Sequence, residues 1–427
     1  MTKNVILSPN DWEHALFAGE FDIENLKDKI NELYKTPFSD ITYLQIFDPS
    51  LNDNMFYKLF LYEGAELRHI ILFKHTGIEK RIEILNNCIY LSVGDIGKIA
   101  PLVFKRFKCV NEIFFKSIFP LIDQCNKPEQ DANESTYNVY SPDLTGKPPK
   151  LFHSKRRVMI PGKETPYIQN SVNNNFYKEV STTEKHHLNL TNTIFSIKSN
   201  DVVIELPDSL ESYMSLLGKK TRKNLNNSRN RIDKNLPGFR VIFLQKEDIK
   251  YAQISKLVEL KRRGMKIRNR RFRKDNDYYK NLFRYVSEKG LICLCYDKET
   301  LIGGSINSVI GKHCYGQVLA HNGDYSEYNI GNITLLNTIK YLIENEIQYL
   351  HLLWGKEEYK FKFRGINRDL YNINIFRKKH IFYIRFFFSE LGTIKRKISN
   401  GFYDRVKKNK AMLLFFRKLK RSIEKIT

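Results

Sequence analysis

Acid is in short supply in this chain. Its 427 residues carry 47 Asp and Glu against 71 Lys and Arg, a formal net charge of +24. That imbalance calls for an anionic partner: nucleic acid, a phosphate-bearing cofactor or an acidic membrane face. Cysteine is sparse as well. The six cysteines (88, 109, 125, 293, 295 and 314) show no metal or redox spacing. They read as reduced core thiols of a cytosolic protein, and no metal centre is expected. No stretch approaches the ~18 consecutive apolar residues of a membrane span. Met1 to Glu20 lacks a basic start followed by an apolar run, so no secretory leader is expected. What is present suffices for packed cores: 42% hydrophobic and 13% aromatic residues exclude wholesale disorder. At roughly 150 residues per domain, the length predicts two or three lobes.

The first segment mixes short strands with amphipathic helices. Residues 55–63 and 69–73 are dense in Phe, Tyr, Leu and Ile, and 81–93 holds two more apolar pieces around Asn86-Asn87. A helix is predicted over 95–107, kinked at Pro101, and a strand over 112–118. Residues 123–150 are polar and Pro-punctuated, a surface excursion, and 171–189 are polar too. The second lobe reads more clearly. Residues 193–206 predict two strands joined at Ser199-Asn200. Asp208 and Glu211 have capping-box spacing for a helix running to about Lys234, stopped by Leu236-Pro237-Gly238. A strand at 240–244 follows, then helices at 247–263 and 277–287. Strands at 290–296, 301–310 and 312–320 come next, then a helix from about Gly331 to Glu344, and strands at 348–354 and 371–376.

The predicted class is α/β (α+β). The N-terminal lobe spans 1–190 with a polar insertion near 123–150, and a second lobe spans 191–376. A basic helical tail occupies 377–427. That tail holds 16 Lys and Arg against 3 Asp and Glu, and it is apolar as well. The combination predicts an amphipathic helix that either attaches peripherally to an anionic membrane on its cytoplasmic face or packs across the lobes.

Residues 301–377 carry the chemistry. The loop Tyr328-Asn329-Ile330-Gly331-Asn332-Ile333 places a glycine at a helix start. Unpaired N–H groups there, with the positive end of the macrodipole, suit the diphosphate of an acyl-CoA. The preceding strand, Tyr315-Gly316-Gln317-Val318-Leu319-Ala320-His321, has an interior glycine, the mark of a bulge or a close backbone approach. A splayed strand at Gln317, Val318 and Leu319 offers amides that polarise a thioester carbonyl. The stretch Gly355-Lys356-Glu357-Glu358-Tyr359-Lys360-Phe361-Lys362-Phe363-Arg364-Gly365 follows a strand edge directly. An amine nucleophile arrives protonated and must lose a proton. His321, at the strand end, is the candidate base, with Asp324 and Glu327 as rivals. Tyr328 or Tyr359 would protonate the leaving thiolate, and Lys360 would stabilise the acyl oxygen. No Cys or Ser sits in an activated-nucleophile setting, so direct attack in a ternary complex is expected.

The helix begun by Gly331, the strand ending in Gly355 and the Tyr359-Lys360 pair with a downstream glycine resemble the GNAT-superfamily acyltransferases of the cellulose-biosynthesis-associated (CelD-like) type. The stretch Tyr213-Met214-Ser215-Leu216-Leu217-Gly218-Lys219-Lys220-Thr221-Arg222-Lys223-Asn224 looks like the same family's Lys-x-Arg helix. The resemblance covers residues 201–377 well and the first lobe loosely. The pattern is also similar to the FemAB peptidoglycan aminoacyltransferases, which are paired GNAT lobes. Their Phe-Lys-x-x-Phe-Gly end is echoed by Tyr359 to Gly365, with Tyr for the first Phe and the glycine one residue late. In the CelD-like pattern the strand before Gly355 more often carries an acid. Here His351 is the only polar interior candidate, so no catalytic carboxylate is expected on that strand. The resemblance implies two GNAT-like lobes, each a mixed, mainly antiparallel sheet flanked by helices. It further implies transfer of an acyl group, acetyl foremost, from acyl-CoA to an amine such as an amino sugar or sugar nucleotide of surface-polysaccharide assembly.

Two internal basic runs remain. Residues 218–234 hold Lys219, Lys220, Arg222, Lys223, Arg229, Arg231 and Lys234 with one acid, and nine of the fourteen residues 261–274 are basic. Lys219, Arg222 and Arg229, with Trp354 at the strand edge, are the candidate substrate contacts. The second run reads as a mobile loop with one aromatic, Phe272. With no zinc-finger, RRM or helix-turn-helix signature, sequence-specific DNA binding is not expected. Transfer RNA, recognised by shape and charge, stays open. The rivals to an acyl-CoA enzyme are thus an aminoacyl-tRNA-dependent transferase and a non-catalytic membrane-associated scaffold.

Overall fold

The computed structural model describes residues 5–7, 23–48, 51, 56–63, 66–76, 80–121, 157–160, 192–267 and 275–386. The polar stretches 123–150 and 171–189, the basic run beyond Ile267 with Phe272, Cys125, and the tail from 387 lie outside the described residues. Chain order begins with β1 (Val5–Leu7), α1 (Ile23–Tyr34), α2 (Ile41–Phe47), β2 (Tyr57–Glu63), β3 (Glu66–Thr76), β4 (Arg81–Ile84), β5 (Tyr90–Ser92), α3 (Val93–Arg106), β6 (Glu112–Leu121) and β7 (Arg157–Ile160). It continues with β8 (Thr193–Glu205), α4 (Leu210–Leu216), α5 (Lys219–Asn235), β9 (Phe239–Gln245), α6 (Tyr251–Ile267), α7 (Asn276–Lys289), β10 (Gly290–Asp297), β11 (Thr300–Ile310) and β12 (His313–His321). It closes with α8 (Ile330–Glu344), β13 (Tyr349–His351), α9 (Glu358–Lys362) and β14 (Ile366–Phe376).

All fourteen strands join one sheet system, in the order β1-β2-β3-β4-β6-β14-β8-β13-β12-β11-β10-β9, with β5 on β6 and β7 on β8. Most neighbours are antiparallel. The parallel pairs are β4 with β6, β5 with β6, and β12 with β13. Strand β14 is the seam: it pairs with β6 on one side and β8 on the other. A last strand buried between two neighbours joins the two halves through backbone bonds rather than through a flexible linker. Asp40 adds a polar tie. Fully buried, it caps α2 through the Thr42 amide and accepts from Lys289 and Tyr285 of α7.

Helices cover both faces of the second half. One face carries α8, whose Ile330, Ile333, Leu336 and Ile339 pack on Cys293, Cys295, Cys314 and Leu350 together with Leu225 and Ile232 of α5. The other carries α6 and α7, whose Leu257, Val258 and Leu282 pack on Ile306, Val318 and Ala320. In the first half α3 buries Ile96, Ile99 and Val103 against β4 and β6. Among the described residues no helix is long and apolar enough to cross a membrane. The start of the tail is anchored. Arg377 donates to the carbonyls of Phe104, Phe107 and Val110 at the end of α3, and Phe382 is buried with Ile194 and Phe376.

Four expectations are corrected. The basic run expected to be a loop over 261–274 is helical as far as Ile267, where α6 ends. Residues 193–205 are one strand, not two. Its register against β14 shifts between Ser199 and Ile197, so the turn-like Ser199-Asn200 lies beside a bulge rather than in a hairpin. The helix expected from Asp208 to Lys234 is two helices, broken at Leu217-Gly218. Its cap is Ser209, whose hydroxyl accepts the Ser212 amide at 3.1 Å. The strand expected over 348–354 stops at His351, because Leu353 adopts a φ of 54° and leaves the ladder.

Candidate active site

The site forms where β12 and β13 part. These parallel strands pair over three positions, His313 with Tyr349, Cys314 with Leu350, and Tyr315 with His351. Beyond them β12 runs on to His321 while β13 ends. The result is a gap whose β12 edge carries Gln317, Val318 and Leu319. A bulge sits at the vertex: Ile306 of β11 faces Val318 and Asn307 faces Gly316, leaving Gln317 as the extra residue. A bulge twists its strand and re-aims local amides. The Gln317 Nε2 is buried with no acceptor among the described residues. An orphaned donor of this kind fits the carbonyl of an acyl or pantetheine group.

The second part is the start of α8. Its N-cap, Asn329, has φ 51° and ψ 41°, and no side chain caps the helix. The amides of Asn332 and Ile333 turn back to the Asn329 carbonyl, which leaves those of Ile330 and Gly331 at the open end. A Cβ at Gly331 would come within 3.0 Å of His321 Nδ1. A side chain at this position would press on the His321 ring, which would have to give by a few tenths of an ångström. Helix α5 braces the loop. Buried Ser228 accepts from Asn329 Nδ2 at 2.9 Å, and Arg231 donates to the Glu327 carbonyl at 2.8 Å. With seven basic residues and one acid, α5 brings positive charge to the same end.

The first half offers a contrast. The start of its helix α3 is closed by Ser92, whose hydroxyl accepts the Asp95 amide, and by Asp95 itself in the first turn. Asp95 is further held by His69 at 3.2 Å. A carboxylate there occupies the place an anion would take. Of these two helix starts, the α8 end is the one left open by its side chains.

The third part is the turn after β13. Leu353 and Gly355 have φ of 54° and 96°. Lys360, 2% exposed, sends its ammonium into this turn, with Nζ donating to the carbonyls of Leu352, Leu353, Trp354 and Gly355 at 2.6–3.1 Å. Burial pushes its pKa below the usual lysine range, and Glu357 at 3.4 Å opposes that. Asn200 bonds Gly355 through both its oxygen and its nitrogen, and Asp201 accepts the Leu353 amide at 3.0 Å. The turn presents Trp354 outward, 48% exposed, with its ring 5.0 Å from that of Phe38 in the first half.

The sequence-derived candidates therefore fall into groups. Gln317, Val318, Leu319, His321, Asn329, Gly331, Asn332 and Ile333 come together around the gap. Tyr328 and Tyr359 pack against the core beneath α8. Lys360 has its donors engaged by backbone. Arg222 closes the end of α4 by donating to the carbonyls of Ser215 and Leu217 at 2.8 and 2.9 Å. Lys219 and Arg229 are exposed on α5. Ser228, Asn200 and Asp201 carry no sequence signal. Each meets its partner more than a hundred residues away, brought there by sheet order for Asn200 and Asp201 and by helix packing for Ser228. Among the described residues no cluster of His, Cys, Asp and Glu is arranged to hold a metal.

Residues 219–361 match the model of the acetyltransferase (GNAT) domain, a span running from α5 into α9. Among solved structures the chain is similar to FemX, at 8% identity over 85% of this chain and 98% of that one, with a TM-score of 0.50. It is also similar to L-PGS from Bacillus licheniformis (10% identity, 84% and 93% coverage, TM-score 0.42). A third is a tandem GNAT protein from the clavulanic acid biosynthesis pathway (7% identity, 87% and 98% coverage, TM-score 0.36). No curated protein matches the chain. At these identities the likeness is one of fold. The second half of the chain carries a GNAT acetyltransferase domain, and the enzyme is an acyltransferase.

Proposed function

We propose that the protein is an acyl-CoA-dependent N-acyltransferase of the CelD-like type, with acetyl the foremost acyl group and an amine the acceptor. The observation that carries this reading is the uncapped start of α8 beside strands that separate after three paired positions. Bound acyl-CoA supplies the activated acyl group. The amides of Ile330 and Gly331 would hold its diphosphate. The exposed face of α5 adds positive charge, and the Gln317 bulge would orient the acyl carbonyl. The likeness of residues 201–377 to the CelD-like pattern supports an amino sugar or sugar nucleotide as acceptor. So does Trp354, an exposed ring at the cleft on which a sugar face can stack. The basic tail supports peripheral attachment to an anionic membrane.

A second reading has one observation in its favour. Lys219, Lys220, Lys223 and Arg229 are exposed along α5 beside the site, a surface that also suits the backbone of transfer RNA. Melting temperatures with acetyl-CoA, free CoA and bulk tRNA in turn separate the readings. A ligand at 100 times its Kd stabilises by about 2.7 kcal/mol. Stabilisation by acetyl-CoA and CoA is expected. Stabilisation by tRNA alone would replace the proposal with the aminoacyl-tRNA reading, and no shift with any of them would leave a scaffold.

A further inference from the structure

Lys261 of α6 donates through Nζ to the Leu319 carbonyl of β12 at 2.9 Å. The register shows where that carbonyl points. The Asn322 amide donates to the Ile302 carbonyl, and these two residues continue the β11–β12 register from the facing pair Gly303 and His321. In an antiparallel ladder, facing pairs that exchange backbone bonds alternate with pairs that do not. Val318 and Ala320 therefore turn their backbone groups toward β11, while Leu319 and His321 turn theirs the other way. Pairing of β12 with β13 ends at Tyr315, so the N–H and C=O of Leu319 point into the gap.

Lys261 reaches this edge from the sheet face opposite α8. It stands one turn beyond Leu257 and Val258, which pack on Ile306, Val318 and Ala320. Nearer the vertex the same face is filled by side chains. Tyr315 stacks on His351 with 4.1 Å between ring centroids, Nδ1 of His351 lies 2.6 Å from Oδ2 of Asp201, and Phe38, Leu353 and Leu370 pack with Tyr315. Leu319 is two residues from the bulged Gln317 and two from His321, whose ring borders Gly331. At about 3.3 Å per residue that is roughly 7 Å either way, midway between the proposed seats of the acyl group and the diphosphate. An unpaired strand edge offers N–H and C=O groups in turn. At Leu319 that alternation is changed: the N–H is a donor, and the C=O is covered by an ammonium that carries three hydrogens. The edge at this level therefore calls for an oxygen acceptor on the ligand. The pantetheine arm of an acyl-CoA supplies one, an amide carbonyl whose carbon is four bonds from the sulfur.

We infer that Lys261 selects the acyl donor by binding the pantetheine amide carbonyl nearest the sulfur, an inference that rests on the acyl-CoA reading above. Its ammonium bridges the Leu319 carbonyl and the pantetheine carbonyl, two acceptors brought together by one cation. The bridge fixes how far the arm slides along β12 and so sets the thioester at the Gln317 bulge. Lys261 acts in binding and placement, and it moves no proton.

The test uses the full chain with two ligands, acetyl-CoA and 3′-phospho-ADP, the nucleotide half of CoA. Lys261→Met keeps the apolar stem and removes the ammonium. It is expected to weaken acetyl-CoA binding about tenfold, the scale of one hydrogen bond to a charged group, and to leave nucleotide binding unchanged. An equal loss for both ligands would make Lys261 a general positive charge and overturns the proposal, as does a variant that binds acetyl-CoA like the wild type. Acetyl-CoA labelled with 13C at the amide carbonyl nearest the sulfur reads the contact directly. Its resonance should move downfield on binding to the wild type and by less on binding to Lys261→Met or Lys261→Gln. No movement with the wild type, or the same movement with all three proteins, overturns the assignment. Failure of the acyl-CoA reading is distinct: it shows as a wild type that binds no acetyl-CoA, and the inference falls with it.

Discussion

Asn329 begins α8 in the left-handed region and gives its side-chain amide to the buried hydroxyl of Ser228 at 2.9 Å. A non-glycine residue in that region costs roughly 1–2 kcal/mol, and the bond offsets part of that cost. Helix α5 thereby sets the direction of the open amides on α8. Ser228→Ala removes a bond of about 1 kcal/mol and is expected to raise KM for acyl-CoA about fivefold with kcat unchanged. Adding Asn329→Gly, which takes the same backbone conformation freely, should restore much of the loss. Steady-state kinetics of the two variants check this, and a Ser228→Ala enzyme with normal KM counts against the clasp.

Lys360 ties four carbonyls of a turn whose Leu353 and Gly355 both have positive φ. Lys360→Met removes the ammonium from all four; the Leu353 and Gly355 carbonyls keep the Val202 amide and Asn200 Nδ2, while those of Leu352 and Trp354 lose the donor Lys360 supplied, at about 1–3 kcal/mol for each group left buried and unsatisfied. A melting temperature lower by several degrees is expected, along with faster proteolytic cutting near Trp354. Lys360→Arg should not rescue, because a planar guanidinium does not fit a ring of carbonyls around a point charge. A Met variant that melts like the wild type would remove this role.

Gln317 pulls stability and activity in opposite directions. Its Nε2 is buried without an acceptor among the described residues, so Gln317→Leu removes an unsatisfied donor and should leave the free enzyme equally or more stable. On the proposed reading the same change deletes a group that would orient the acyl carbonyl, and kcat/KM should fall roughly tenfold for a loss near 1.4 kcal/mol. Thermal melts and kinetics on one preparation test both halves.

Asp95 makes a prediction in pH. Burial acts to raise its pKa, but hydrogen bonds from His69 and Ser92 prevail and hold it down at about 2. A carboxyl whose folded pKa lies below its unfolded value contributes stability above the unfolded value and loses it as pH falls through the folded one. The stability gap between wild type and Asp95→Asn should therefore be constant above about pH 5. It should close as pH falls from about 4 toward 2. A gap independent of pH in that window contradicts the assignment. CoA binding should be unchanged by Asp95→Asn, because α3 lies away from the α8 end.

Local signals carried much of the second half. Asp297-Lys298 and Gly311-Lys312 punctuate β10, β11 and β12 as expected, and the interior Gly316 does mark a bulge. The start of α8 was legible from Gly331 within a residue. Readings failed where tertiary structure overrode local pattern. Ser199-Asn200 resembles a turn, but β14 pairs along it, Leu370 with Ser199 and Asp369 with Asn200, and holds it extended. The polar stretch after Pro207 resembles one helix, but Gly218 and the Arg222 cap divide it. Helix α1 has no strong punctuation in the sequence; α2 does, in its N-cap Asp40 three residues after Pro37, a signal the apolar density of the neighbouring strands masks. At the site the strand residues were visible, whereas the groups that aim them were not. Asp201 meets His351, and Ser228 meets Asn329, only through sheet order and helix packing. A carboxylate does stand behind β13, supplied by its neighbour β8 rather than by the strand itself.

Calorimetric titration of the full-length protein with acetyl-CoA tests the central claim most directly. The account predicts saturable binding of one molecule per chain, because α8 begins uncapped while α3 is closed by Ser92 and Asp95. Affinity should be weakened by Ser228→Ala and left unchanged by Asp95→Asn. Two equivalent sites, or no heat of binding to the wild type, would contradict it.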